Sequence, residues 1–322
     1  MRPDILTDNK IMKATREGFG EGLLTIGADA RVYGLCADLT ESVQMHHFAK
    51  AYKNRYIEIG IAEQNMAAVA SGIASMGMVP YMASYAVFNP GRNWEQIRTT
   101  IAYNNVPVRI IGAHAGLSVG PDGGSHQMLE DIALMRIMPN MTVLVPIDAN
   151  EARAMTIASL NMSGPVYIRL AREKSPLILP DNYIYSSEPQ ILYKTTKTNQ
   201  LKKLAIITCG PIAYEVIKSI VEIENHNIDL LIVNLSTIKP LNEKFLLNLI
   251  KTYSKILTVE EHQIYGGLGS LIAEFVVLHG NVKMDMLAIK DRFCQSGKTD
   301  ELYKEYEIDS LNIIDRAITL VF

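Results

Sequence analysis

Apolar and polar positions follow two rhythms along this chain. Short unbroken apolar runs predict buried strands at 32–36, 56–59, 79–83, 108–112, 143–146 and 166–170, then at 204–208, 230–235 and 256–259. Between them lie longer stretches with helical spacing, at 10–24, 62–76, 94–103, 131–138 and 150–161. Others run from the Gly210-Pro211 turn to 223, and over 242–253, 268–278 and 311–320. Strands alternating with helices predict an α/β fold with largely parallel sheets. One polar stretch, 186–203, breaks the rhythm with Ser-Ser-Glu-Pro, Thr-Thr-Lys-Thr and Lys-Lys runs. It predicts a linker over 186–202 between units at 1–185 and 203–322.

Composition narrows the function classes. A length of 322 residues fits about two domains. A net charge of -3 gives no electrostatic reason for a nucleic-acid partner. The 3 cysteines, Cys36, Cys209 and Cys294, have no paired spacing, which argues against a disulfide framework or a zinc site. Met1-Arg2-Pro3-Asp4 lacks the apolar core of a signal peptide, and no apolar run reaches membrane-spanning length. A cytoplasmic setting is the simplest expectation.

The most informative run is Ile57-Glu58-Ile59-Gly60-Ile61-Ala62-Glu63-Gln64-Asn65-Met66. An apolar strand meets a glycine, and a carboxylate opens a helix that is apolar on nearly every face. Read alone, Glu63 is an acid at a helix start, where capping is the ordinary role. If buried, that carboxylate must find a partner or a proton. Tyr85 and Phe88, three residues apart, are by spacing alone core residues. The segment from His114 to His126 carries glycines at 116, 120, 123 and 124, so its backbone turns freely and approaches a ligand closely. His114, Asp122 and His126 on that loop suit hydroxyl binding and proton transfer. Read alone, Arg16 is a helix-surface arginine beside a glutamate; an arginine's planar fork suits phosphate, and Arg16, Arg172 and the nearby Arg169 all carry one. Gly266-Gly267-Leu268-Gly269-Ser270 opens a helix and is a weak anion cradle for which packing is favoured; His262 reads as structural.

Several of these runs together resemble the thiamine-diphosphate enzymes of the transketolase group. The resemblance is carried by the Glu63 segment, His114-Ala115-Gly116-Leu117-Ser118-Val119-Gly120-Pro121-Asp122-Gly123-Gly124-Ser125-His126-Gln127, Ile238-Lys239-Pro240-Leu241, and Val259-Glu260-Glu261-His262 with the glycines that follow. The order is that of the C-terminal half of a transketolase. The resemblance implies a pyrimidine-binding α/β domain followed by a smaller α/β C-terminal domain. It implies that Glu63 contacts the cofactor's aminopyrimidine and favours its imino tautomer. Tyr85 and Phe88 match the aromatic slot for that ring, and Asp38 matches an acid near the cofactor. Arg16, Ser42, His114, Asp122, His126 and Arg172 match substrate positions, with His114 and His126 also catalytic. A third aromatic common in the family is replaced by Gly91.

The magnesium and diphosphate site of such enzymes needs a Gly-Asp-Gly segment with a later Asn. Pro121-Asp122-Gly123 with Asn150 only mimics it, so no metal residue is assigned here. The implied arrangement is a split transketolase: an N-terminal transketolase subunit that holds Mg2+ and diphosphate, and this chain self-associating into a heterotetramer with it. The implied reaction moves a two-carbon ketol unit between phosphorylated sugars. Rival readings are the second half of a deoxyxylulose-phosphate synthase, the β chain of a 2-oxo-acid dehydrogenase, and a non-catalytic remnant that binds a partner.

Overall fold

The computed structural model describes residues 10–196 and 202–322. Residues 1–9, and the part of the expected linker at 197–201, lie outside the described residues. The first unit begins with β1 (Met12–Lys13) and α1 (Thr15–Ile26), and continues with β2 (Val32–Cys36), α2 (His46–Ala51) and β3 (Tyr56–Glu58). Next come α3 (Glu63–Ser75), β4 (Val79–Tyr85), α4 (Trp94–Gln96), β5 (Arg109–Ala113), α5 (Asp131–Arg136), β6 (Thr142–Leu144), α6 (Ala149–Ser159), β7 (Val166–Arg169) and β8 (Ser175–Pro176). The second unit holds β9 (Gln190–Lys194), β10 (Lys202–Thr208), β11 (Ile228–Asn234), β12 (Thr237–Lys239), β13 (Lys255–Gln263) and β14 (Lys283–Ile289). Its longer helices are Glu243–Thr252, Leu268–His279 and Ser310–Val321.

The mostly parallel α/β architecture expected from the sequence is present in both units. A seven-stranded sheet runs β12-β6-β7-β5-β4-β2-β3, parallel except for β12. A five-stranded sheet runs β14-β13-β10-β11-β9, parallel except for β9. β5 and β7 are buried along their whole length, which is why they read as unbroken apolar runs.

The two units share hydrogen bonds and core. β12 leaves the second unit and pairs antiparallel with β6 of the first. One buried cluster runs from Met66, Ala70 and Ile110 to Ile207, Val233 and Ile272. Lys239 donates to the carbonyls of Arg136 and Met138 at the end of α5, where a cation suits the exposed carbonyls. The Gly-Gly-Leu-Gly segment is already filled. Glu260 accepts from the amides of Leu268 and Gly269, each at 2.7 Å, so the protein's own carboxylate occupies that helix start.

Where structure and expectation differ, tertiary pairing explains it. Residues 12–13, read as helix, pair with Ser175–Pro176, and the helix starts at Thr15. Within the stretch read as linker, Gln190–Lys194 is an edge strand on β11. The predicted helix over 94–103 changes to a π-helix at Ile97–Ala102. The strand β14 lies outside the apolar runs of the sequence; Lys283 and Asp285 at its half-exposed end interrupt its pattern.

A second buried carboxylate joins the units. Glu151 on α6 is fully buried and accepts from the Ile147 amide (2.8 Å), Ser236 Oγ (2.7 Å) and the Asn234 amide (3.1 Å). Burial pushes its carboxyl from 4.5 up to about 7, against the pull of these donors. Because the folded chain holds this proton to a higher pH than the unfolded chain, its contribution to stability falls as pH rises through that window and then levels off. Wild type should therefore lose about 2–3 kcal/mol relative to Glu151→Gln between pH 5 and 7.5, read by urea unfolding. Parallel pH profiles for the two proteins would contradict this.

Candidate cofactor and substrate site

The Glu63 segment folds as its pattern predicts. β3 ends at Glu58, Gly60 takes a positive φ of 77°, and α3 starts at Glu63. The neighbouring acid, Glu58, organises the approach. It accepts from the amides of Asp38 (2.7 Å) and Gly60 (3.1 Å), and from the hydroxyls of Thr40 (2.9 Å) and Tyr56 (3.1 Å). Partial burial works against the charge, but these donors hold the Glu58 carboxyl below its ordinary value. Asp38 itself sits on an exposed turn with φ 59°.

Glu63 is 2 % exposed. Among the described residues its carboxylate partner is Arg92, whose Nη1 donates to Oε2 at 2.9 Å. Asn93 donates to the Glu63 carbonyl (3.0 Å) and to Asn89 Oδ1 (3.1 Å), and Asn89 donates to the carbonyls of Met82 and Ile111. The turn carrying Arg92 is thereby tied to the sheet. The sequence reading missed Arg92, Asn89 and Asn93. One signal was available: a cation and two amides within five residues of the aromatic pair.

Across Arg92 from Glu63 stands a wall of rings. Tyr85 and Phe88 are nearly parallel, 11° apart with centroids at 6.2 Å. His114 stacks on Tyr85 at 3.7 Å, and His126 meets Tyr85 and Phe88 edge-on at 6.1 and 5.9 Å. The Tyr85 hydroxyl donates to Ser42 Oγ at 3.1 Å. Tyr85 and Phe88 are only half-buried, so they are not simply core residues. Gly91 has no room for a third aromatic in this backbone, because a Cβ there would lie 2.1 Å from the Val87 carbonyl oxygen. The Arg92 guanidinium lies over the Phe88 ring instead, 4.6 Å from its centroid.

The loop residues gather at the same place. His114 has a positive φ of 54° and is 1 % exposed. Burial, followed by the charges of Arg16, Arg172 and His126, drives its pKa down to about 3, so the ring is neutral near pH 7. Its Nδ1 is buried with no hydrogen-bond partner among the described residues. His126 is half-buried, with Nδ1 3.0 Å from Ser125 Oγ. Arg16 donates to the carbonyls of Ser42 (2.7 Å) and Arg172 (3.2 Å). Arg172 donates to the Val119 carbonyl (3.3 Å) and lies 4.0 Å from Asp122. Arg169 is withdrawn from any phosphate role. It is 5 % exposed, pairs with Asp131 at 2.9 Å and donates to the Glu261 carbonyl at 2.8 Å.

The loop glycines serve a different neighbour from the expected ligand. A Cβ at Gly123 would lie 2.4 Å from Ser296 Oγ, and one at Gly124 2.5 Å from the Cys294 carbonyl oxygen. Gln127 donates to the Gln295 carbonyl at 3.1 Å, and Glu261 accepts from the Ser118 amide at 2.8 Å. The second unit thus braces the loop from behind. Asn150 donates to the Leu179 carbonyl (2.9 Å) and Asp181 Oδ1 (3.1 Å), and Asp122 faces Arg172; each has a role other than metal binding. His262 is buried, with Nδ1 2.7 Å from the Gln263 carbonyl. No helix among the described residues is long and apolar enough to cross a membrane.

Comparison with known proteins matches both units to one family. Residues 12–176 match the transketolase pyrimidine-binding domain, and residues 194–313 match the transketolase C-terminal domain. A putative transketolase C-terminal section of Methanocaldococcus jannaschii is 37% identical, over 96% of each chain. One of the subunits of the apulose-4-phosphate transketolase of Actinobacillus succinogenes is 32% identical, over 88% of this chain and 90% of its own. A 1-deoxy-D-xylulose-5-phosphate synthase of Halothermothrix orenii is 33% identical over 94% of this chain, but over only 47% of its own. A solved structure described as a split-gene transketolase, an inactive β4 tetramer, superposes with a TM-score of 0.86 at 32% identity, covering 96% of this chain and 99% of that one. The chain belongs to the transketolase family, with a pyrimidine-binding domain followed by a C-terminal domain.

Proposed function

We propose that this chain is the C-terminal subunit of a two-chain, thiamine-diphosphate-dependent transketolase acting on phosphorylated sugars. The observation that carries the reading is a buried Glu63 joined through Arg92 to a parallel aromatic pair, with two histidines packed on that pair. The full-length similarity to a transketolase C-terminal section and to a split-gene transketolase supports it. The partner would be an N-terminal subunit that holds Mg2+ and the diphosphate, since this sequence has no Gly-Asp-Gly segment.

The residues present fit the pyrimidine half of the cofactor. Glu63 would hold a proton against a ring nitrogen, and its burial keeps that proton from being shared with water. Phe88 and Tyr85 would form an apolar wall for the ring. When bound, thiamine diphosphate supplies a carbon nucleophile for the donor carbonyl. The neutral His114 can orient a sugar hydroxyl without adding charge, and its unpartnered Nδ1 is an available acceptor or donor. His126, with one edge open, would move a proton at the substrate oxygen. Arg16 and Arg172 would hold the sugar phosphate, Asp122 a hydroxyl, and Ser42 would fix the Tyr85 ring.

The chain alone, with cofactor and Mg2+, should turn over no ketose phosphate; with a partner carrying the Gly-Asp-Gly and Asn motif it should transfer ketol units. Steady activity from the single chain would overturn the two-chain reading. Condensation of pyruvate with glyceraldehyde phosphate, without ketol transfer, would favour the synthase seen among its relatives. In the active pair, Glu63→Gln should lower kcat by about 10²–10⁴-fold. Near-normal turnover would leave Glu63 a structural acid.

Arg172→Ala should raise KM for phosphorylated donors about ten- to a hundredfold with little change in kcat, because a remote phosphate is gripped equally before and during reaction. Unphosphorylated analogues should be unaffected. Arg169→Ala should instead reduce folding stability by about 3–5 kcal/mol, because it leaves Asp131 buried and unpaired. Equal penalties on both kinds of donor from Arg172→Ala would remove it from the phosphate site.

A further inference from the structure

Arg92 has no part in the function proposed above, yet it touches two groups on which that function depends. Its Nη1 donates to Glu63 Oε2 at 2.9 Å. Its guanidinium carbon lies 4.6 Å from the Phe88 ring centroid. Those are the acid and one aromatic face against which a pyrimidine ring would sit. A guanidinium is flat, rich in N–H donors and able to stack, so toward a carboxylate and a ring face it behaves much as an aminopyrimidine does.

The local build lets the side chain move while the backbone stays. The Arg92 amide donates to the Phe88 carbonyl at 3.1 Å, Gly91 is pressed against Val87, and Asn93 is tied to Glu63 and Asn89. The Arg92 side chain, by contrast, is 48% exposed, whereas Glu63 is 2% exposed. Withdrawing the arginine into water costs little desolvation, but leaving Glu63 buried without a partner costs much more. The pair is therefore stable only while nothing else compensates the carboxylate.

We propose that Arg92 is an internal stand-in for the cofactor's ring: it occupies the Glu63–Phe88 slot in the free chain and swings out when thiamine diphosphate enters. The proposal rests on the reading of Glu63 and Phe88 as the cofactor slot. Two consequences follow from the physics. First, the arginine competes with the cofactor. If the closed arrangement holds about 90–99% of the population, the apparent affinity is reduced about ten- to a hundredfold. Second, the arginine stabilises the free chain by compensating the buried charge.

The test uses Arg92→Ala, Arg92→Lys and Glu63→Gln. Calorimetric titration of thiamine diphosphate with Mg2+ into the reconstituted two-chain complex should give tighter binding for Arg92→Ala, by about ten- to a hundredfold. Arg92→Lys should fall between that and wild type, because it keeps the charge but loses the flat fork. In the isolated chain, thermal unfolding should show a lower midpoint for Arg92→Ala, with recovery in the Arg92→Ala/Glu63→Gln double variant. If Arg92→Ala does not fold, Arg92→Lys against wild type carries the same comparison. Unchanged or weaker binding in the arginine variants, with binding by wild type intact and lost in Glu63→Gln, would overturn the stand-in and leave the cofactor slot standing. No saturable binding by the wild-type complex would overturn both.

Discussion

A desolvated carboxylate at the start of α3 is the constraint around which this site is organised. Glu63 cannot stay charged at 2 % exposure without a partner, and among the described residues Arg92 supplies it. The turn that carries Arg92 must then be held in place, which Asn89 and Asn93 do through the carbonyls of Met82, Ile111 and Glu63. Glu58 does the same for the loops on the other side, collecting the amides of Asp38 and Gly60. Both acids of the strand-to-helix junction are thus satisfied, one by backbone amides and two hydroxyls and one by an arginine.

The second unit contributes no ring or histidine to this wall, but it sets the loop that does. Glu261 holds the Ser118 amide and the Tyr303 hydroxyl, and the Ser296 side chain and the Cys294 carbonyl lie against Gly123 and Gly124. β12 extends the sheet that supports β6 and β7. Through these contacts the loop motif and the Val-Glu-Glu-His motif meet in space. A substitution at Gly123 or Gly124 would push the loop off the second unit and displace His126 indirectly.

Much of the fold was legible because its strands are buried on both faces and so appear as unbroken apolar runs, as β5 and β7 do. The misses have physical reasons. β1 and β8 are two-residue strands created only by meeting each other. β9 lies at a sheet edge and buries only Leu192, a weak apolar signal. In the site, residue types and motif order pointed to Glu63, His114 and His126, and the structure gathers their segments. Arg92 was faintly legible at best: a cation between two amides close behind the aromatic pair was the one signal, and it does not name a charge partner 29 residues away. The loop glycines were misread for a similar reason: a glycine announces close approach but not what approaches.

On the proposed function, this chain carries half of a cofactor site, the pyrimidine half. The decisive measurement titrates thiamine diphosphate and Mg2+ into the isolated chain, and then into an equimolar mixture with the proposed diphosphate-binding subunit. The isolated chain should show no saturable binding, and the mixture should saturate at one cofactor per Glu63. Tight stoichiometric binding by the isolated chain would contradict it.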